Sequence, residues 1–339
     1  MGNTRVTQLQ PAHLTVQNDL APSGPRWIEE ERDACGVGFI ADQQGRASHQ
    51  LVNDALAALG CMEHRGGCCA DQDSGDGAGI MTAIPWQILQ AWADQQGLAP
   101  LVPGRVGLGM VFLPQQSDAA QIARQEFETV IQAAGFTVLG WRTVPVQPET
   151  LGAQARQFQP QIEQVILQSP ETLEATAADR LERQLFLIRR GLQRAVECVT
   201  QSQTLTPEVL AGLQELYICS LSGRTVVYKG MVRSQVLSQF YLDLQNPDYV
   251  SPFAVYHRRF STNTMPKWPL AHPMRLLGHN GEINTLIGNI NWMMAREADL
   301  SHEVWGEQLA QLKPIVNAEN SDSANLDNVM ELLVRSGRT

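Results

Sequence analysis

Apolar residues recur along this chain with two different periods, which predict both helices and strands. Helical spacing, in places closed by a glycine where a helix would end, predicts helices at 51–62, 85–96, 119–134, 177–198, 282–296 and 321–335. Short apolar and β-branched runs predict strands at 36–41, 105–113, 136–146, 161–167, 216–222, 224–228 and 253–260.

The order of these elements indicates the fold class. Strands and helices come in runs rather than in strict alternation, which favours α+β layers over a doubly wound parallel sheet. Gly223 separates the two strands predicted at 216–222 and 224–228, so we expect these strands to form a hairpin. The glycine-dense stretch from Gly66 to Gly79 is expected to be a loop.

Composition and charge narrow the class of protein. A chain of 339 residues can form one large domain or two small ones. Its net charge of -10, without a basic cluster, argues against binding to nucleic acid or an anionic membrane. No apolar stretch has the length of a membrane span or of a signal peptide. Six cysteines are too few for a disulfide framework, so we expect a soluble protein of a reducing, intracellular compartment.

Cys35 is the candidate nucleophile. It begins an apolar string, Cys35-Gly36-Val37-Gly38, directly after a polar leader of residues 1–34. Cleavage before Cys35 would place a thiol and a free α-amine on one residue, and the amine could then act as the general base. The commoner alternatives are a buried structural cysteine and a disordered tail.

Three further positions carry groups that suit a carboxamide substrate. Asn280-Gly281 offers a side-chain amide and a backbone amide to an oxyanion. Arg259 is suited to bind an α-carboxylate, and Asp322 is suited to accept hydrogen bonds from an α-ammonium group. With Cys35 as the attacking group, these residue types together suit glutamine.

Each of these residues also has an ordinary structural explanation. Asn280-Gly281 is a common turn, and Ser321-Asp322-Ser323 is a ready N-cap. The ordinary explanation for Arg259 is an ion pair with a surface carboxylate, and this explanation is even more common for a residue such as Arg258. A zinc site would use Cys61, His64, Cys68 and Cys69, but their spacing is not that of two C-x-x-C pairs, so bound metal is disfavoured.

Five strings in order give the chain a resemblance to a known family. They are Cys35–Phe39, Glu63–Gly67, Arg259–Thr264, His279–Asn284 and Ser321–Ser323. The chain resembles the class II glutamine amidotransferases of the N-terminal nucleophile hydrolase superfamily, and especially the N-terminal glutaminase domain of glutamate synthases.

This resemblance implies a four-layer α/β/β/α sandwich of two antiparallel sheets, incomplete at its C-terminal end. Residues 1–34 would be a pro-segment, and residues 35–339 would be a partial glutaminase domain. Arg65 would help to order the loop over the nucleophile.

The resemblance also implies a role for each site residue. The Cys35 thiolate would attack the side-chain amide of glutamine while its own α-amine transfers the proton. Asn280 and Gly281 would form the oxyanion hole. Arg259 would bind the carboxylate of glutamine, and Asp322 would bind its amine.

The ammonia would then pass to a second site, where 2-oxoglutarate is aminated and reduced. The resemblance places FMN and an iron–sulfur cluster in that other portion, so no cofactor and no metal are expected in this segment. The strings Tyr256–Phe260 and Met265–Trp268 are more similar to members that use reduced ferredoxin than to those that use NAD(P)H. The expected location is the cytoplasm, or the plastid stroma in a plant or alga.

Two alternatives remain open from the residues. The chain could be a class II amidotransferase domain that serves another acceptor, such as a sugar phosphate or an aspartyl adenylate. It could also be a noncatalytic metal-binding or interaction domain. The insertion from Ala119 to Cys198 and the string Asn280–Asn284 favour glutamate synthase over the first alternative.

Overall fold

The computed structural model describes most of the chain after the leader: residues 36–65, 67, 71, 73–170, 178–201, 205–259, 267–281, 283 and 285–338, with backbone alone at 65 and 178. Residues 1–34, predicted to be a pro-segment, and Cys35 lie outside the described residues.

The described residues form α-helices of very different lengths. They are α1 (His49–Cys61), α2 (Trp86–Gln95), α3 (Ser117–Ala133), α4 (Ala153–Gln157), α5 (Ala178–Thr200), α6 (Pro207–Leu213), α7 (Leu237–Phe240), α8 (Leu286–Glu297) and α9 (Asp322–Arg335). Short 3-10 helices lie at Glu63–Arg65, Pro148–Thr150, Leu242–Gln245, Trp268–Leu270 and Gly306–Leu312. Every predicted helix is confirmed, although α8 begins at Leu286 rather than at residue 282. Among the described residues, no helix is both long and apolar enough to cross a membrane.

The strands form two antiparallel sheets within the described residues. The strands are β1 (Val37–Ala41), β2 (Ala78–Ala83), β3 (Val106–Leu113), β4 (Thr137–Thr143), β5 (Gln161–Gln168), β6 (Tyr217–Ser222), β7 (Thr225–Gly230) and β8 (Phe253–Arg258). One sheet has the order β1-β8-β2-β7, and the other has the order β4-β5-β3-β6. Neighbouring strands are antiparallel in both sheets, so the predicted mixed α+β class is confirmed.

The predicted hairpin at Gly223 is wrong, because β6 and β7 belong to different sheets. β6 pairs with β3, and β7 pairs with β2, so the chain crosses between the sheets at Gly223. The amide of Gly223 donates to Glu182 on α5 at 2.7 Å, and the hydroxyl of Ser222 accepts from the amides of Arg224 and Thr225. These side chains satisfy the turn amides in place of a hairpin ladder.

Apolar side chains cover both faces of the second sheet. Phe112 and Ile166 belong to a core that also contains residues of the first sheet, and Phe112 meets Trp268 edge to face at 5.8 Å. The residue before Phe112, Val111, and the residue before Ile166, Val165, belong to a separate core with α3 and α5. The period of two along a strand explains this division, because successive side chains point to opposite faces.

A third apolar cluster joins the C-terminal elements to α5. It combines Phe186 of α5, Ile290 of α8, Leu332 of α9, and Trp305 and Leu312 from the region of the 3-10 helix at Gly306–Leu312. Ser321 caps α9 by accepting a hydrogen bond from the amide of Ala324 at 3.2 Å. This packing fixes the position of the α9 N terminus, where Asp322 lies.

Candidate active site

The residue that follows Cys35 lies against two of the predicted site strings. β1 pairs with β8, with Val37 opposite His257, and the amide of Arg258 donates to the carbonyl of Gly36 at 2.6 Å. A Cβ atom on Gly36 would lie 2.4 Å from the carbonyl oxygen of Arg258 and 3.3 Å from Oδ1 of Asn280. A strand start and a distant loop therefore meet at Gly36, the residue that follows Cys35 in the sequence.

Arg258 is fully buried and holds the glycine-dense loop to the sheet. Its guanidinium pairs with Asp76 and, at 3.3 Å, with Oε1 of Glu63. It also donates to the carbonyls of Gly77 at 3.0 Å and Gly67 at 3.3 Å. The ordinary expectation that Arg258 pairs on the surface is wrong, because two carboxylates and two carbonyls offset the cost of burying its charge.

Arg259 follows β8 in a strained backbone conformation. Its φ of 115° lies in a region that side chains other than glycine rarely adopt. The amide of Arg259 donates to the carbonyl of Gly77 at 2.8 Å, and its own carbonyl accepts from the amide of His272 at 3.3 Å. The Arg259 side chain is 40% exposed, with Nε 3.8 Å from Oδ2 of Asp76. The surrounding backbone hydrogen bonds hold this unusual turn, which separates Arg259 from the buried Arg258.

The Asn280 string reaches the start of α9. Ile283, three residues after Asn280, donates its amide to Oδ2 of Asp322 at 3.3 Å, and Ser323 donates its amide to Oδ1 at 2.6 Å. Asp322 is only 3% exposed, whereas Gly281 is exposed and Asn280 is half-buried. For the string Ser321–Ser323, the N-cap explanation is confirmed, with Ser321 as the cap. The described residues beside Asn280 are not strands, so Asn280-Gly281 is not the corner of a hairpin.

His257 supports the same loop from the sheet. Its Nε2 lies 2.9 Å from the carbonyl oxygen of His279, and its ring stacks on His272 with centroids 4.6 Å apart. Burial lowers the pKa of His257 to about 4 and the pKa of His272 to about 2. A neutral imidazole has a single N–H, and here Nε2 is the donor because its partner is a carbonyl.

The sequence indicated no role in the site for Arg258 or His257, although both lie in the string Tyr256–Phe260. The available signal was the strand period, since Ala254 and Arg258 share one buried face of β8. For Arg65, the backbone lies in the 3-10 helix at Glu63–Arg65, and its side chain lies outside the described residues.

The residues of the hypothetical zinc site are only partly described. His64 and Cys61 are exposed, and Nδ1 of His64 contacts the carbonyl of Cys61 at 3.0 Å. Cys68 and Cys69 lie outside the described residues. Among the side chains that are described, no group of three or more His, Cys, Asp or Glu is arranged to hold a metal ion.

The chain was compared with known families and proteins. The family model for glutamine amidotransferases of class II matches residues 35–339. A ferredoxin-dependent glutamate synthase 2 of Synechocystis sp. is 57% identical over 318 residues, which cover 93% of this chain and 19% of that protein. The ferredoxin-dependent glutamate synthase of Pyropia yezoensis is 52% identical over 339 residues, which cover 100% of this chain and 21% of the relative. The ferredoxin-dependent glutamate synthase 1 of Arabidopsis thaliana is 50% identical over 342 residues, with coverages of 98% and 20%.

The chain thus spans about a fifth of the length of these relatives. The family match begins at Cys35, beside the contact between Gly36 and Asn280, and includes the strands and the site loops described above. This protein chain belongs to the class II glutamine amidotransferases.

Proposed function

We propose that this chain is the glutamine-hydrolysing part of a ferredoxin-dependent glutamate synthase. The observation that carries the proposal is that Asn280, the proposed oxyanion donor, lies close to Gly36, the residue that follows Cys35 in the sequence. The names of the similar proteins support the choice of glutamate synthase over an amidotransferase with another acceptor.

The proposed reaction begins once the bond between Ala34 and Cys35 has been cut, with residues 1–34 as the pro-segment and residues 35–339 as the glutaminase domain. The α-amine of Cys35 takes the thiol proton, and the sulfur attacks the side-chain carbonyl carbon of glutamine. The same amine then gives its proton to the leaving ammonia, and a γ-glutamyl thioester remains. Water hydrolyses the thioester, releasing glutamate and restoring the thiol.

Asn280 and Gly281 are the proposed oxyanion donors, through the Asn280 side-chain amide and the Gly281 backbone amide. Oδ1 of Asn280 would lie 3.3 Å from a Cβ atom on Gly36, so the side-chain amide of Asn280 is close to the residue before β1, and this proximity supports the role. Removal of one such donor costs about 3 kcal/mol of transition-state stabilisation in well-studied enzymes.

Arg259 and Asp322 are proposed to bind the carboxylate and the amine of glutamine. The partly exposed guanidinium of Arg259 lies one residue beyond the backbone contact with Gly36. Asp322 accepts a hydrogen bond from the amide of Ile283, two residues beyond Gly281. Arg65 is proposed to help order the loop that Arg258 anchors.

The remaining steps are proposed for the rest of the polypeptide. Ammonia passes to a second site, where 2-oxoglutarate is aminated and reduced with FMN, an iron–sulfur cluster and reduced ferredoxin. The cytoplasm, or the plastid stroma in a plant or alga, is the proposed location. For the fold, we propose the four-layer α/β/β/α sandwich, which the shared core of the two sheets and the packing of α3 and α5 support.

A Cys35→Ala variant of the full-length polypeptide tests this function. It should lose glutamine-dependent glutamate formation and keep ammonia-dependent formation, whereas Cys61→Ala, at an exposed position, should keep both. The N-terminal residue of the active wild-type protein should be Cys35. Unchanged glutamine turnover in Cys35→Ala would contradict the proposal, and stoichiometric bound zinc would favour the metal-binding alternative.

A further inference from the structure

Two of the separate parts of the chain that carry groups proposed to contact glutamine are the Asn280-Gly281 region and the start of α9. Asn280 and Gly281 lie in the segment 275–281, which we call the oxyanion loop, and Asp322 begins α9. A buried polar cluster joins these two parts at Asp327, five residues beyond Asp322 on the same helix.

Asp327 makes its described polar contacts with the start of the oxyanion loop. Its Oδ1 accepts hydrogen bonds from the amides of Leu276 at 2.9 Å and Leu277 at 3.1 Å. Its Oδ2 lies 2.8 Å from the guanidinium of Arg275. Asp327 is fully buried, so its two hydrogen bonds and its ion pair are made away from water, where electrostatic interactions are strongest.

Arg275 extends this cluster along α9. It donates from Nε to Oε2 of Glu331 at 2.9 Å and from its other end to Asn328. Glu331 also pairs with Arg189 of α5, which is itself buried. Two carboxylates and two guanidinium groups therefore share one site, and their formal charges balance.

The oxyanion loop is fixed at further points on both sides of Gly278. The amide of Met274 donates to the carbonyl of Leu277 at 2.8 Å, which closes the turn that Asp327 binds. His257 holds the carbonyl of His279 at 2.9 Å. A Cβ on Gly278 would lie 3.0 Å from Val37, so the loop runs directly against β1. The backbone between Leu277 and Asn280 therefore has little freedom to move.

A purely structural role is the competing explanation, because buried ion pairs also attach α9 to its neighbours. Attachment to α5 is already provided by Glu331 with Arg189 and by Arg335 with Glu182, the latter at 2.6 Å. Asp327 differs from these residues because all its described contacts go to the oxyanion loop and two of them go to backbone amides, whereas Glu331 also contacts α5.

On the basis of the function proposed above, we propose that Asp327 is a positioning residue that holds the oxyanion donors at a fixed distance from Asp322. Without its contacts, Asn280 and Gly281 lose their alignment with the developing oxyanion. Asp322 keeps its place at the N terminus of α9. The loss therefore falls on the transition state rather than on glutamine binding.

Asp327→Asn keeps the volume of the side chain and an oxygen for the loop amides, but it removes the charge that pairs with Arg275. Asp327→Ala removes all three contacts. A displacement of about 1 Å at a reacting centre lowers rates by roughly 100-fold. We therefore expect kcat for glutamine to fall about 10-fold in Asp327→Asn and about 100-fold in Asp327→Ala, with KM changed by less than about threefold.

An aldehyde analogue of glutamine, glutamate γ-semialdehyde, separates positioning from partial unfolding. Its hemithioacetal with Cys35 places an oxygen where the oxyanion forms, so its Ki should rise by the same factor by which kcat falls. A preparation that is only partly folded has a lower apparent kcat but an unchanged Ki. Arg335→Gln is the matched control on the same helix, and it should keep the wild-type kcat and Ki.

The full-length polypeptide is the material for these measurements. An unchanged Ki in Asp327→Asn, or an equal rise of Ki in Arg335→Gln, would overturn the role of Asp327. A wild-type protein that neither hydrolyses glutamine nor binds the semialdehyde would instead refute the proposed function itself.

Hydrogen exchange in the wild-type protein gives a second test, and a folding defect of a variant cannot affect it. The amides of Leu276 and Leu277 should exchange as slowly as those of α9, and fast exchange at both would also overturn the role.

Discussion

A single methyl group at Gly36 would test how closely the start of β1 is packed against the reaction centre. In Gly36→Ala, the new Cβ would lie 2.4 Å from the carbonyl oxygen of Arg258, although real Cβ atoms essentially never approach another heavy atom within 3.0 Å. The φ of Gly36 is not in the left-handed region, so alanine is acceptable to the backbone itself. The effect of the substitution is therefore the steric contact alone.

The size of the effect follows from that contact. The two strands must separate locally by about 0.6 Å, because the clashing atom belongs to the backbone and cannot rotate away. Overpacking of this kind costs about 1–3 kcal/mol of stability. A shift of about 1 Å at a reacting centre lowers rates roughly 100-fold, so we expect kcat/KM for glutamine to fall at least about 10-fold.

The assay is ammonia release from glutamine, measured on protein whose N-terminal residue has been confirmed as Cys35 by intact mass. Gly288→Ala is the control, because a Cβ there meets nothing within 4 Å and the position lies inside α8. That variant should keep its activity and gain up to about 1 kcal/mol in unfolding free energy. Wild-type kcat/KM in Gly36→Ala would refute the close packing of β1 against the reaction centre.

Further predictions concern stability. Arg258→Met leaves two carboxylates without their buried partner and should lower the unfolding free energy in urea by about 3–5 kcal/mol. Arg46→Met, at an exposed ion pair, should leave the unfolding free energy almost unchanged. Because burial lowers the pKa of His257 to about 4, the unfolded chain binds more protons than the native protein between pH 6.5 and 4. The unfolding free energy should therefore decrease as the pH is lowered through this range, by up to about 3 kcal/mol from His257. His257→Phe should remove only the contribution of His257 and leave that of His272, whose pKa burial lowers to about 2, so the slope should decrease. An unaltered slope in urea titrations at pH 7, 6 and 5 would contradict the assignment. Ser48→Ala removes the side-chain cap of α1 and should lower the unfolding free energy by about 1 kcal/mol, which thermal unfolding would show as a lower melting temperature.

The elements that could be predicted from the sequence depend on local patterns. The predicted 119–134 helix and the predicted 105–113 strand agree with α3 and β3 to within two residues, because apolar periodicity reports the face that will be buried. The short helix α6 was missed, although Thr206 as the N-cap and Pro207 at the first position were visible signals.

Long-range pairing could not be predicted in the same way. Whether β6 and β7 form a hairpin or cross between sheets depends on β2 and β3, which lie far away in sequence. The burial of Arg258 likewise depends on Asp76, 182 residues earlier in the chain.

For the candidate site, too, local residue types could be interpreted from the sequence, whereas long-range contacts could not. Residue types at Cys35, Arg259, Asn280 and Asp322 indicated amide chemistry, and the family resemblance supplied their roles, which remain predictions. The contact between Gly36 and Asn280 required the folded structure. The residues that hold the loops were missed for the same reason, since their partners lie on elements far away in the sequence.

The position of β8 between β1 and β2 has a consequence for how the chain tolerates insertions and deletions. This one strand sets the register of Gly36 on one side and of the start of β2 on the other. A single residue gained or lost within β8 would reverse the side chains beyond that point and displace the partners of both neighbours together. Length changes should be far better tolerated near Gly97 and Gly104, which have open space around them.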